Sequence, residues 1–159
     1  MRFVILSVGK VKDGYLKSGV NDFMTRLRPY MNVDYIEGME EKTPPNPSDA
    51  QITAVVDKEG KRILAQLKDG DFLVALDSHG KQLTSEELAD KIQDWMNQGT
   101  SRVVFAIGGS HGLSPEVLKH AYIKLSLSKM TFLHQMTAMI LLEQLYRGMK
   151  IIKGEPYHK

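Results

Sequence analysis

Tyr157, His158 and Lys159 place an aromatic ring, a group that titrates near neutrality and a cation side by side. Such a trio can stack on a base, exchange a proton and contact phosphate. Residues at a chain's extremity are ordinarily expendable, so these types suggest a terminus held in place for use. The structural alternative has Tyr157 packing against the fold and His158 only hydrogen-bonding. A second candidate is Gly108-Gly109-Ser110-His111-Gly112, where glycine permits positive φ and close approach of backbone to a ligand. Its spacing matches neither G-x-G-x-x-G nor G-x-x-x-x-G-K-[ST], so dinucleotide or triphosphate binding gains no support. A plain tight turn is the alternative. A third candidate, Leu127 to Phe132 (LSKMTF), also leaves a strand. Two such loops together imply a nucleoside-sized pocket. Asp77, after Leu76, can anchor a ribose or cap a turn, and the turn is favoured. His111 and His134 lack a neighbouring cluster of metal-site spacing. No G-x-S-x-G marks a nucleophilic serine.

The elements that must position these groups follow from periodicity. Arg2 to Gly9 reads as a central strand, and Gly14 to Arg28 as a helix stopped by Pro29. Asn32 to Gly38 alternates as a second strand. Glu40 to Pro47, with three prolines, reads as a mobile loop within one domain. Ser48 with Gln51, and Thr84 with Glu87, form capping boxes that open two further helices. Ile52, Val55, Val56, Ile63, Leu64 and Leu67 supply the buried stripe of the first, in which Gly60 costs about 1 kcal/mol relative to Ala. Phe72 to Leu76 and Arg102 to Ile107 are continuous apolar runs of the kind covered on both faces. Ser114 caps a helix with Pro115 at its first position. Ile123 to Leu127 alternates as a last strand, and a long apolar helix runs from about Leu133 to Ile151. Its stripe of Leu141, Leu145 and Met149, with Leu142 and Tyr146 beside it, is either buried in the fold or a homodimer interface. The order is βαβαβαβαβα, which predicts a single α/β domain with a mainly parallel sheet. Ligands in such sheets collect at the carboxyl ends of strands near the switch point. That directs attention to 76–78, 108–112 and 127–132.

Composition sets bounds. The 159 residues are one domain's worth and can bury a real core. Without cysteine there are no disulfides and no thiolate metal sites. The apolar run Phe3 to Val8 is too short for a signal peptide, and no stretch is long enough to span a membrane, so a cytoplasmic location is expected. The net charge of +2 conceals an asymmetry: Pro115 to Lys159 holds seven Lys/Arg and three Glu, and the rest of the chain 14 basic and 16 acidic groups. A basic third can attract a polyanion or merely solvate a surface.

The strand followed by GGSHGL, the LSLSKMTF loop, the EQLYRGMKI helix and the terminal GEPYHK together carry a specific resemblance. From VGK near Gly9 to the last residue, the chain resembles the small SPOUT-class methyltransferases of 23S ribosomal RNA. The resemblance implies an α/β fold with a C-terminal trefoil knot over about 70–159, assembled as a homodimer. It further implies methylation of a pseudouridine at N3 with S-adenosylmethionine as cofactor, on large-subunit RNA or the ribosome, with no metal. Cofactor contacts carry over to Leu76, Gly108, Leu127, Ser128, Lys129, Met130, Thr131 and Phe132. Tyr157, His158 and Lys159 of one subunit are assigned to the RNA side of the other's active site, with His158 the candidate base. Two positions depart from the pattern: Leu133 stands where proline is usual, and Ala138 where arginine is usual. Proline favours a helix start, so Leu133 implies a looser cofactor loop. Loss of a guanidinium implies weaker RNA contact. The rival readings are methylation of another RNA such as tRNA, a non-catalytic nucleoside-binding or ribosome-associated module, and a flavodoxin-like cofactor binder.

Overall fold

Three helix starts are fixed by short side-chain contacts. Ser48 Oγ accepts the Gln51 N–H at 3.2 Å, and Gln51 Oε1 accepts the Ser48 N–H at 2.9 Å. Thr84 and Glu87 repeat the exchange at 3.1 and 2.7 Å. Ser114 Oγ accepts the Val117 N–H at 3.2 Å ahead of Pro115. Each such cap stabilises its helix by about 1 kcal/mol.

The computed structural model describes residues 1–159. Its elements are β1 (Arg2–Ser7), α1 (Gly14–Leu27), β2 (Asn32–Ile36), α2 (Asp49–Leu64) and β3 (Phe72–Gln82), then α3 (Ser85–Asn97), β4 (Arg102–Ile107), α4 (Pro115–His120), β5 (Ile123–Ser126) and α5 (His134–Ile152). This is the order expected from the sequence. The five strands form one sheet in the order β2-β1-β4-β3-β5, with every pairing parallel. Because strand side chains alternate between faces, Phe3, Ile5 and Phe105 join α1, α3 and α5 in the larger core. Val4, Leu6, Val104 and Ala106 join Ile63 of α2 and Val117 of α4 on the other face. In α5, Leu141, Leu142, Leu145, Tyr146 and Met149 are buried, while Met136, Ile140 and Ile151 are half-buried.

The largest departure from expectation is β3. The sequence predicts a strand ending at Leu76, whereas pairing with β5 resumes at Lys81 and Gln82. Leu125 is opposed first by Leu76 and then by Lys81, so 77–80 loop outward around β5. At Gly80 a Cβ would lie 2.6 Å from the Lys124 backbone carbonyl, a space that only glycine leaves open. Gly60 has a similar cause: a Cβ there would meet Ser114 Oγ at 2.2 Å, so α2 and α4 close up because position 60 is bare. No helix is long and apolar enough to cross a membrane.

Candidate active site

The carboxyl ends of β3, β4 and β5 meet in a cleft of about 270 Å³. The glycine turn after β4 is closed by the Gly112 N–H on Gly109 O at 3.1 Å, with Gly112 at φ +79°. The loop after β5 is braced from within: Ser126 Oγ donates to Ser128 O at 3.0 Å, and Ser128 Oγ accepts the Met130 N–H at 2.9 Å. Asp77 caps the turn, its Oδ1 accepting the His79 N–H at 3.2 Å, and the residue also lines the cleft.

Of the residues predicted to touch a cofactor, Leu76, Gly108, Leu127, Ser128, Met130, Thr131 and Phe132 line the cleft. Lys129 lies on the same loop but is exposed and forms no part of the wall. Three strand ends far apart in sequence are thus brought together. Apolar walls come from Leu76, Ile107, Leu125, Leu127 and Phe132, and hydroxyls from Ser78, Ser110, Ser126, Ser128 and Thr131. No lysine or arginine lines it, while the Asp77 carboxylate does. A pyrophosphate calls for cations or a helix amino terminus; no lysine or arginine is present to meet one, and the only helix start at the cleft is that of α5, at His134. An adenosine bearing a cationic sulfonium suits this lining, with apolar walls for the base and hydroxyls for the ribose.

The tail lies elsewhere. Glu155 accepts from Lys150 Nζ at 2.6 Å and from the Tyr30 hydroxyl. Lys150 holds the Glu155 carboxyl below its ordinary range. Tyr157 packs edge-on to Tyr146, with centroids 4.9 Å apart, and donates to Glu143 Oε1 at 3.0 Å. Burial, then Glu143, pushes its phenol up. His158 Nε2 is 2.8 Å from Glu86 Oε1, and its Nδ1 is 3.3 Å from an Arg147 nitrogen. A carboxylate on one side and a guanidinium on the other assign the proton to Nε2 and the lone pair to Nδ1. Its own backbone N–H, then His158, hold the Glu86 carboxyl below its ordinary range. None of residues 155–159 lines the cleft of its own chain.

Leu133, immediately before α5, has φ −56° and no side-chain cap bond, and is half exposed. That φ is within proline's range, and its N–H makes no backbone hydrogen bond. Leu133→Pro is therefore expected to raise stability by about 0.4–1 kcal/mol, read as a higher thermal midpoint; a lower midpoint would show that the loop needs the present backbone. Ala138 is fully buried in the larger core, so an arginine there would displace packed side chains.

Sequence reasoning overlooked Glu59, on the buried side of α2. A signal was available: Glu59 falls three and four residues after Val56 and Val55 and four before Ile63, on the apolar stripe.

An all-parallel, doubly wound sheet with a cleft at its strand ends defines an open-sheet α/β protein, the class that binds ligands at that edge. The family model described as "Predicted SPOUT methyltransferase" matches residues 1–158. A ribosomal RNA large subunit methyltransferase H from Alkaliphilus oremlandii is 53% identical over all of both chains, and one from Halothermothrix orenii is 50% identical over the same span. A solved structure titled as a probable methylase family protein from Haemophilus influenzae shares the fold, with TM-score 0.55 at 12% identity, over 99% of this chain and 70% of that one. The chain belongs to the SPOUT methyltransferases, and within them to the ribosomal RNA large subunit methyltransferase H family.

Proposed function

We propose that the protein methylates N3 of a pseudouridine in the 23S RNA of the large ribosomal subunit, in the cytoplasm, using S-adenosylmethionine. The observation that carries this reading is the cleft itself, in which seven of the eight expected cofactor-contacting residues converge and no cation is present. When bound there, S-adenosylmethionine supplies an electrophilic sulfonium methyl, which passes to a nitrogen lone pair as the carbon–sulfur bond breaks and its electrons return to sulfur. The protein has to hold the acceptor in line and take up the imide proton. Alignment of this kind can lower a barrier by about 7–11 kcal/mol.

We read the protein as a homodimer whose segment of about 70–159 is knotted. The outward loop of 77–80 around β5 supports a threaded arrangement. Met136, Ile140 and Ile151 of α5 leave apolar surface that a second copy would cover. Because the tail does not reach its own cleft, its action on a cofactor requires that second copy. His158 then serves as the base through Nδ1 once Arg147 gives way to the acceptor, with Glu86 holding the tautomer and stabilising the imidazolium. Lys159 offsets charge on the imide anion and Tyr157 stacks on the base.

Incubating the protein with labelled S-adenosylmethionine and ribosomes from cells lacking its gene tests the reading. One methyl group per large subunit, mapped by mass spectrometry to a pseudouridine of 23S RNA, is expected. Label confined to tRNA, or none at all, rejects it.

A further inference from the structure

A second cavity, of about 450 Å³, adjoins the cleft and shares Gly109, Ser110 and His134 with it. Its floor is the gap between the carboxyl ends of β1 and β4, at Val8-Gly9 and Gly109. Helix α1, after β1, packs on one face of the sheet with α3 and α5, and α4, after β4, packs on the other with α2. The cavity therefore sits at the topological switch point, where open α/β sheets bind ligands. Its volume is that of a small-molecule site, about 300–1,000 Å³. Only one lining residue is apolar.

One side chain there is only half used by the fold. Glu59 is only 7% exposed, yet it lines the cavity. Its Oε1 accepts the Glu41 N–H at 3.1 Å, while Oε2 makes no hydrogen bond within the protein and opens onto the cavity. Burial pushes its pKa up, against the pull of the Glu41 N–H, His111 and Arg62, with Glu40 adding to the rise. No group of three or more His, Asp or Glu side chains is arranged to hold a metal ion. The free oxygen thus offers an acceptor to an occupant that also lies against the cofactor cleft.

We propose that this cavity receives the target nucleobase and that Glu59 Oε2 accepts the ring N1–H by which pseudouridine differs from uridine. The assignment rests on the functional reading above. In pseudouridine the sugar is attached through carbon, so N1 and N3 both carry hydrogen and flank one carbonyl. A ring that turns N3 toward the shared wall of Gly109, Ser110 and His134 presents N1–H to the neighbouring wall. Uridine, with its sugar on N1, leaves the carboxylate unpaired. A site built to bond a group rejects analogues that lack it.

The test titrates the full chain, saturated with S-adenosylhomocysteine, with pseudouridine, uridine and N1-methylpseudouridine nucleosides, and follows backbone amide shifts by NMR. Pseudouridine is expected to shift Thr43, Gly109, Ser110 and His111 at concentrations about tenfold lower than the other two, the worth of one charge-assisted hydrogen bond. Glu59→Gln is expected to make the three nucleosides equal without changing S-adenosylhomocysteine affinity. Thr43→Trp, at an exposed residue that lines this cavity but not the cleft, is expected to abolish the nucleoside shifts and serves if Glu59→Gln does not fold. Absent shifts, equal response to the three nucleosides in the unmodified protein, or shifts that persist in Thr43→Trp overturn the assignment. So does a preference that survives in Glu59→Gln. If ribosomes are methylated at pseudouridine while any of these is seen, only the subsite is wrong; if ribosomes are not methylated, the underlying reading fails first.

Discussion

Deleting residues 156–159 is expected to slow methyl transfer by about 10²–10⁴-fold, the range for loss of a positioned acid–base group. S-adenosylhomocysteine affinity is expected to stay within about twofold, because a change of that size is well under 1 kcal/mol. The two halves have different causes. No residue of the tail lines the cleft of its own chain, and the partner's tail is read as serving the RNA side, so the cofactor walls at 76, 108 and 127–132 stay whole. The Glu155 clamp on Tyr30 and Lys150 is retained, so the end of α5 keeps its anchor. What goes is the Tyr157 packing on Tyr146, worth about 0.5–1.5 kcal/mol, and the imidazole between Glu86 and Arg147. A thermal midpoint lowered by a few degrees with turnover intact would mean that the tail is only packing. Steady-state kinetics on ribosomes beside calorimetric titration separate the outcomes.

The second large effect belongs to the glycine turn. Gly108→Ala would place a Cβ 2.5 Å from the Gly112 carbonyl carbon and 2.9 Å from the Leu113 nitrogen. Both are backbone atoms, so no side chain can swing aside and the turn itself must open. Overpacking of this kind costs about 1–3 kcal/mol. If the turn is rigid in the bound state, S-adenosylhomocysteine affinity falls by about ten- to a hundredfold. Gly112→Ala is the control. Its φ of +79° is strained for alanine, but nothing lies within 4 Å of the added carbon, so the cost stays near the 1–2 kcal/mol of a left-handed residue. Both glycines line the cleft, so the backbone clash at Gly108 alone sets the order in which calorimetry should rank the two variants. Equal affinities for Gly108→Ala and the unmodified chain would remove the turn from the binding site.

The capping pairs, the apolar strands and the stripe on α5 are local signals, and all of them appear in the fold. Loops 108–112 and 127–132 were legible as a pair for the same reason, since each follows an apolar strand and precedes a helix. What the sequence hid is non-local. Asp77-Ser78-His79-Gly80 has turn composition, and nothing nearby tells that Lys81 and Gln82 will resume pairing with a strand more than forty residues on. Gly60 looked like a propensity cost because the Ser114 hydroxyl that requires it comes from another helix. The loop after β2, expected to be mobile from its prolines, is tied at its start: Arg62 donates to Glu40 O at 2.9 Å and pairs with Glu41, and Glu59 accepts the Glu41 N–H. The tail's types suggested chemistry, but its resting place against α3 and α5 could not be read from composition.

The way β3 grips Leu125 bears on how ready the cleft is for an occupant. The outermost strand of an open sheet can ordinarily peel away by itself. Here Leu76 and Lys81 both pair with Leu125, and Gly80 lies on the Lys124 backbone. Freeing β5 would demand that 77–80 swing aside first, so this border behaves like the interior. Leu76, Leu125 and Ser126 are walls of the cleft, and their order is settled during folding instead of at the moment of capture. Little entropy is then left to lose on association, and a modest set of hydroxyls and apolar walls suffices for a ligand that meets no cationic anchor.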